Sequence, residues 1–353
     1  MFGLAALEAT KQPEVMGGFR WPMLAGFIAL VISWTLTPYV RKFAIAKGAM
    51  DDPKSDDRRV HTEPIPRWGG LAIYAGILIS LVAVLPFAFR DTTPFPMYLV
   101  GMLLVGAAIV VAGALDDLHQ YSAKIQALLL LAAGVAVQFF RGPVGHIQIG
   151  SFVVPFSNHQ IIQLNATPLT LALFAFPLTA FYIFIVAKTI DTIDGVDGLA
   201  AGIAAIAAAT LTVIAAYGGQ PRVAIIAAAI AGSSVGFLKH NYNPAKIFMG
   251  TGGAQLLGFL MACLSIVGAL KTAAAVAILI PVFVFGVPII DAVVVVLRRL
   301  LSGQPITQAD KRHLHHQLLG KGLSQRQTVW VLYTAALVLC VLIIVVIQIY
   351  GKA

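Results

Sequence analysis

Ten apolar runs, separated by mostly short polar connections, set the pattern of the chain. They cover approximately 22–40, 69–89, 97–115, 125–140, 168–187, 199–217, 222–239, 253–270, 272–290 and 328–350. Each has about the 17–25 residues that a helix needs to cross a bilayer, the fourth being the shortest. One connection differs. Between Arg141 and Thr167, the run His146-Ile-Gln-Ile-Gly-Ser-Phe-Val-Val alternates about a Gly-Ser turn, which predicts a small β-hairpin near 144–156. The pattern therefore predicts an all-α polytopic membrane protein of about ten transmembrane helices. It forms one integral-membrane domain over 1–353, with its core at 20–350.

Composition agrees. Of 353 residues, 59% are hydrophobic and 11% charged, and the mean hydropathy is +0.88, so a soluble surface cannot be covered. Cys263 and Cys340 lie inside apolar runs, which argues against disulfides. The stretch Met1–Gly18 lacks a basic start leading into a short apolar core, so no cleaved signal peptide is expected.

A net charge of +9 could suggest nucleic acid, but its placement points to membrane topology. With the loop 41–68 taken as cytoplasmic and sides alternating from there, seventeen of the 24 Lys and Arg fall inside. The positive-inside rule then puts both termini outside. Twelve of the 15 Asp and Glu and six of the eight His share the inner face. Groups capable of acid–base or metal chemistry are thus one-sided and sit at span ends. No internal repeat is visible. Both features favour an enzyme working at the membrane surface over a carrier with a midplane site.

Five blocks carry the candidate chemistry. Asp116-Asp117 ends the third run, with Lys124 two turns on as a point charge for a phosphate. Lys188-Thr-Ile-Asp191-Thr-Ile-Asp194-Gly-Val-Asp197-Gly198 spaces three carboxylates three apart; continued as a helix they would spread over about 120° of one face. An N-capping run for the next helix would need only one of them. Asn243-Pro-Ala-Lys246-Ile-Phe-Met-Gly250-Thr251-Gly-Gly is a glycine-rich turn opening a helix, suited to an anion or to close helix packing. Arg312-His313-Leu-His315-His316 offers three imidazoles that could bind zinc, or, with Lys311 and Arg312 alongside, a phosphate or pyrophosphate. Arg58, His61 and Arg67 lie in a proline-stiffened loop of mixed charge. Carboxylates for a hard cation beside several cations for phosphates point to magnesium-dependent phosphoryl or phosphosugar transfer.

In this order the blocks resemble the polyprenyl-phosphate N-acetylhexosamine-1-phosphate transferases, over about residues 20–350. The resemblance is to the branch that starts surface-polysaccharide or teichoic-acid linkage units, with the phospho-N-acetylmuramoyl-pentapeptide transferases as more distant relatives. It implies transfer of a sugar 1-phosphate, commonly from UDP-N-acetylglucosamine, to undecaprenyl phosphate with release of UMP. It also implies a bacterial cytoplasmic-membrane enzyme with its active site on the cytoplasmic face, and allows a homodimer. A residue like Asp116 would be base or orienter for the lipid phosphate, supported by Asp117. Asp194 and Asp197 would complete the catalytic carboxylates and, with Asp191, would bind Mg²⁺, Mn²⁺ being the alternative. Substrate contacts would fall to Lys124, Asn243, Lys246, Arg58, His61, Arg67, Arg312, His313, His315 and His316.

Two departures stand out. The family commonly has Asp where this chain has Thr251, and Asn where it has Lys188 and Asp191. The expectation is that a metal-binding carboxylate has moved from position 251 to 191. A catalytically impaired relative that only binds or carries a lipid phosphate is the competing reading.

Overall fold

The computed structural model describes residues 17–53, 63–140, 146–149, 152–155, 169–269, 286, 289–291, 294, 301 and 313–350. Its helices are α1 (Arg20–Ala46), α2 (Gly69–Ala88), α3 (Met97–His119), α4 (Ala123–Ala136), α5 (Leu169–Ile193), α6 (Leu199–Tyr217), α7 (Pro221–Asn241), α8 (Gly250–Ala269), α9 (Leu314–Gly320) and α10 (Gln325–Tyr350). Among the described residues eight helices are long and apolar enough to cross a membrane. The expected fourth span is a shorter apolar helix, α4 running on through a 3₁₀ turn to Phe139. The expected ninth, 272–290, lies almost wholly outside the described residues.

Hydropathy placed the helix starts and centres well and some ends short. α3 runs on through Asp116, Asp117 and His119, and α5 through Lys188 and Asp191, because a helix does not end where its apolar stripe ends. The predicted hairpin is present. β3 (His146–Ile149) pairs antiparallel with β4 (Phe152–Pro155), with Ile147 opposite Val154. A second small pair, β1 (Met50–Asp51) with β2 (Ile65–Pro66), closes the loop between α1 and α2 and was not foreseen.

The helices α6, α7 and α8 form the buried centre, while α1 and α10 keep much of their surface on the outside of the bundle. Membrane helices gain little from hydrophobic association, so close packing and interhelical hydrogen bonds hold them together. Buried serines show this: Ser80 donates to the Ala25 carbonyl at 2.6 Å, and Ser233 to the Ile73 carbonyl at 2.7 Å, tying α2 to α1 and α7. Where α3 crosses the start of α8, a Cβ on Gly113 would lie 2.2 Å from Gly252 Cα. The two backbones touch there.

Alternation of the helices sorts the connections onto two ends. One end holds plain contacts: Phe19 packs edge-on against Tyr217, and Arg222 stacks 4.3 Å over Phe89 while bonding Thr92 and Thr93. The other gathers the segments around Arg67, Asp116, Asp194, Asn243 and His313. α1 begins at the plain end and α10 runs toward it.

Gly113→Ala tests the crossing. Its methyl meets backbone, not a yielding side chain, so the variant should lose about 1–3 kcal/mol of stability. Gly18→Ala, with open space around it, should change stability by less than about 0.5 kcal/mol. Thermal unfolding read by a thiol-reactive dye on the buried Cys263 and Cys340 reports both.

Candidate active site

The site is built first around Asp117. Residues 66–70 zip onto 248–249: Phe248 N–H donates to the Pro66 carbonyl at 2.8 Å, Gly69 N–H to Phe248 at 2.9 Å and Gly70 N–H to Met249 at 2.8 Å. Trp68 takes a left-handed conformation (φ 81°) and its indole N–H donates to the Ala114 carbonyl at 3.0 Å, fixing this strap against α3. Arg67 then donates Nη1–H to Asp117 Oδ1 at 3.2 Å and Nη2–H to Asp51, which β1–β2 pairing places alongside. The Thr251 amide, in the first turn of α8, donates to the same Asp117 oxygen at 3.2 Å. Burial works against the Arg67 charge, but Asp117 and Asp51 more than offset it and hold its pKa above the ordinary value. Removing one partner of so buried a pair costs about 3–5 kcal/mol, because the other charge is left uncompensated.

Asp116 faces elsewhere, as adjacent helical residues must. It accepts the Tyr121 amide at 2.8 Å and the Gln126 side-chain amide at 3.0 and 3.2 Å. Gln126 Oε1 in turn accepts from Lys188 Nζ at 3.0 Å, and Lys188 lies 2.5 Å from Asp191 Oδ2. Asp191 is therefore neutralised one helical turn from its lysine.

The three acidic residues of this loop do not share a helical face. α5 ends at Ile193, and Gly198 (φ 80°) turns the chain into α6 without any side-chain cap. The expected shared helical face does not form. Asp197 is drawn to Asn243 Nδ2 and the Ala245 amide, both at 3.0 Å. Asp191, Asp194 and Asp197 thus do not form the expected three-carboxylate metal set, and among the described residues no three His, Cys, Asp or Glu converge to hold a metal. Asp194 is the exception to all this pairing. Its half-buried carboxylate has no hydrogen-bond partner among the described residues. Burial first, then Asp191, Asp117 and Asp197, push its pKa well above the usual carboxylate range, opposed only by Arg67. Such an uncompensated hard-oxygen donor fits a divalent cation that takes one or two protein carboxylates and completes its shell with phosphate oxygens and water.

The histidines form a third wall. His315 is 2% exposed, stacked on His313 and tilted against His316, and its Nε2 would lie 3.2 Å from a Cβ on Gly195. The glycine lets the ring rest on the acidic loop. Burial, then its neighbour His316, lowers the His315 pKa to about 3, so it is neutral at physiological pH and serves as a hydrogen-bonding group, not a cation. Among the described residues the three imidazoles do not make a group that converges on a metal. His313 Nδ1 lies 2.9 Å from Asp291 Oδ2, and Asp291 Oδ1 accepts the Leu314 amide at 2.7 Å.

Asp291, Gln126 and the partner roles of Lys188 and Asp51 were not foreseen; each is a single polar residue whose significance lies in a distant contact. Asn243 joins Asp197 to Gln325 Oε1, at 3.0 and 2.8 Å. Lys124 and Lys246 are exposed at the same end, without a side-chain partner among the described residues, and Thr251 contributes its backbone. Arg58, His61 and Arg312 lie outside the described residues.

Comparison with known proteins gives the family. The model of glycosyl transferase family 4 matches residues 99–269. A Bacillus subtilis (strain 168) protein named "Probable undecaprenyl-phosphate N-acetylglucosaminyl 1-phosphate transferase" is 36% identical over 311 residues, covering 88% of this chain and 81% of that one. A decaprenyl-phosphate N-acetylglucosaminephosphotransferase of Mycolicibacterium smegmatis is 33% identical, covering 88% and 78%. An undecaprenyl-phosphate alpha-N-acetylglucosaminyl 1-phosphate transferase of Escherichia coli (strain K12) is 27% identical, covering 84% and 76%. With Asp117, Asp194 and the histidines gathered at one end of a membrane bundle, the chain belongs to glycosyl transferase family 4, among the polyprenyl-phosphate N-acetylhexosamine-1-phosphate transferases.

Proposed function

We propose that the chain transfers N-acetylglucosamine 1-phosphate from its UDP-sugar to undecaprenyl phosphate, releasing UMP, at the cytoplasmic face of a bacterial membrane. The product would begin a cell-envelope polysaccharide or a teichoic-acid linkage unit. The observation that carries this reading is Asp194: a carboxylate without a hydrogen-bond partner among the described residues, near the Asp117–Arg67 clamp and the neutral His315, at the same end as exposed Lys124 and Lys246.

In the reaction a lipid-phosphate oxygen attacks the sugar-bearing phosphorus, and the bond to the bridging oxygen breaks with UMP as leaving group. The attacking phosphate is already largely dianionic near pH 7, so no strong base is required. That suits Asp116 and Asp117, whose carboxylates are occupied as acceptors and therefore orient rather than abstract. Mg²⁺, or Mn²⁺ in its place, held by Asp194 with Asp117 beside it, would neutralise charge on the pyrophosphate. Lys124 and Lys246 provide point charges for phosphate oxygens, and His313, oriented by Asp291, provides a fixed hydrogen-bonding nitrogen.

Purified protein incubated with UDP-N-acetylglucosamine, undecaprenyl phosphate and Mg²⁺ should release UMP and form lipid-linked sugar, and EDTA should stop both. Lipid binding without turnover across a panel of UDP-sugars would overturn the reading. Asp194→Asn should lower the rate about 10²–10³-fold, the scale of losing a preorganised electrostatic group. Asp291→Asn, which frees His313 without touching substrate, should lower it about 10²-fold through misplacement alone.

A further inference from the structure

Lys188 and Asp191 occupy the two positions where this chain carries opposite charges on one helical face, and the structure shows what each touches. Lys188 has two partners, Asp191 Oδ2 at 2.5 Å and Gln126 Oε1 at 3.0 Å, and Gln126 spends its amide nitrogen on both oxygens of Asp116. An ammonium has donors only. Placed against Gln126 it requires the amide oxygen on its own side, which turns the NH₂ toward Asp116. Without it the amide could reverse, setting its oxygen against a carboxylate. The chain Asp191–Lys188–Gln126–Asp116 thus ties the end of α5 to the end of α3 across the start of α4. The same geometry speaks against Asp191 as a metal ligand, since an ammonium 2.5 Å away neutralises the carboxylate and repels a second cation.

We infer that Lys188 is a positioning residue that sets Asp116 through Gln126, and that Asp191 is its counter-ion instead of a replacement for the carboxylate missing at Thr251. The inference rests on the transferase reading for its kinetic consequences; its connectivity stands on the hydrogen bonds alone. The side chains of Lys188 and Asp191 are 35% and 15% exposed, so an unpaired survivor keeps part of its hydration, yet it still pulls on its other neighbours.

Five variants test it: K188M, Q126M, K188M/Q126M, D191N and K188N/D191N. In the UMP-release assay K188M and Q126M should each lower kcat about tenfold with KM for the UDP-sugar unchanged, and the K188M/Q126M double should be no worse than the poorer single, because both act along one path. Multiplicative losses would overturn the relay. D191N alone should lower kcat, whereas K188N/D191N, with the asparagine pair common in the family, should recover most of it. A double variant as poor as D191N would overturn the counter-ion role. The Mg²⁺ concentration giving half-maximal activity, and that giving half of the Mg²⁺-induced rise in unfolding temperature, should be the same in D191N as in the parent. A shift of tenfold or more in either would make Asp191 a metal ligand. If the parent protein shows no transfer, the transferase reading fails by itself. The relay is then still decided by unfolding temperatures of Q126M, K188M and their double, which are non-additive if it exists and additive if it does not.

Discussion

The Asp117 carboxylate accepts the Arg67 guanidinium from the strap ahead of α2 and the Thr251 amide from the first turn of α8, while being itself the last buried acid of α3. Three segments, 50 and 134 residues apart along the chain, become one rigid object there. The Thr251 contact depends on the backbone approach at Gly113 and Gly252, which brings α3 and α8 within reach of each other. Packing and charge are thus one constraint. The glycines permit the approach, and the ion pair gives the closely packed ends a definite rotation. Everything else at this end of the bundle is arranged relative to it: Asp116 turns the other way toward α4, and Asp194 lies just past the end of α5, within electrostatic reach of the clamp.

The remaining polar groups fall into two kinds. Asp51, Asp116, Asp117, Asp191, Asp197 and Asp291 are each paired to a cation, an amide or an imidazole. Asp194 is not. An enzyme for phosphate esters needs both kinds, since fully paired carboxylates hold geometry, and an unpaired one holds the charge that the ligand and its cation will satisfy. The low pKa of His315 belongs to the same economy, keeping positive charge off a ring that lies against the acidic loop.

Much of this was legible in the sequence. Apolar runs placed the eight long helices, the alternation at His146 gave the hairpin, and clustering of Asp, His and Lys at span ends gave the site's location. The helical face drawn through Asp191, Asp194 and Asp197 was not sound, because spacing alone carries no information about where a helix stops, and α5 stops at Ile193, ahead of two of the three. Partners were harder still. Gln126 and Asp291 are lone polar residues next to apolar runs, and their meaning is a contact with Lys188 or His313 that only tertiary structure creates. The exchange of Asp for Thr251 was read as a carboxylate transferred to position 191; in the structure that carboxylate arrives together with its own lysine, so no free negative charge is gained.

The C-terminal contacts bear on how the protein is made. His315 rests on Gly195, Gln325 holds Asn243, and the Tyr333 hydroxyl donates to the Gly198 carbonyl at 2.6 Å. The acidic loop between α5 and α6 is therefore finished by parts of the chain that leave the ribosome more than a hundred residues later. During synthesis the earlier helices can insert and close the Asp117 clamp, yet the loop bearing Asp194 waits for α9 and α10 before its walls exist. A nascent chain already seated in the bilayer lacks the finished loop until α10 has been laid in.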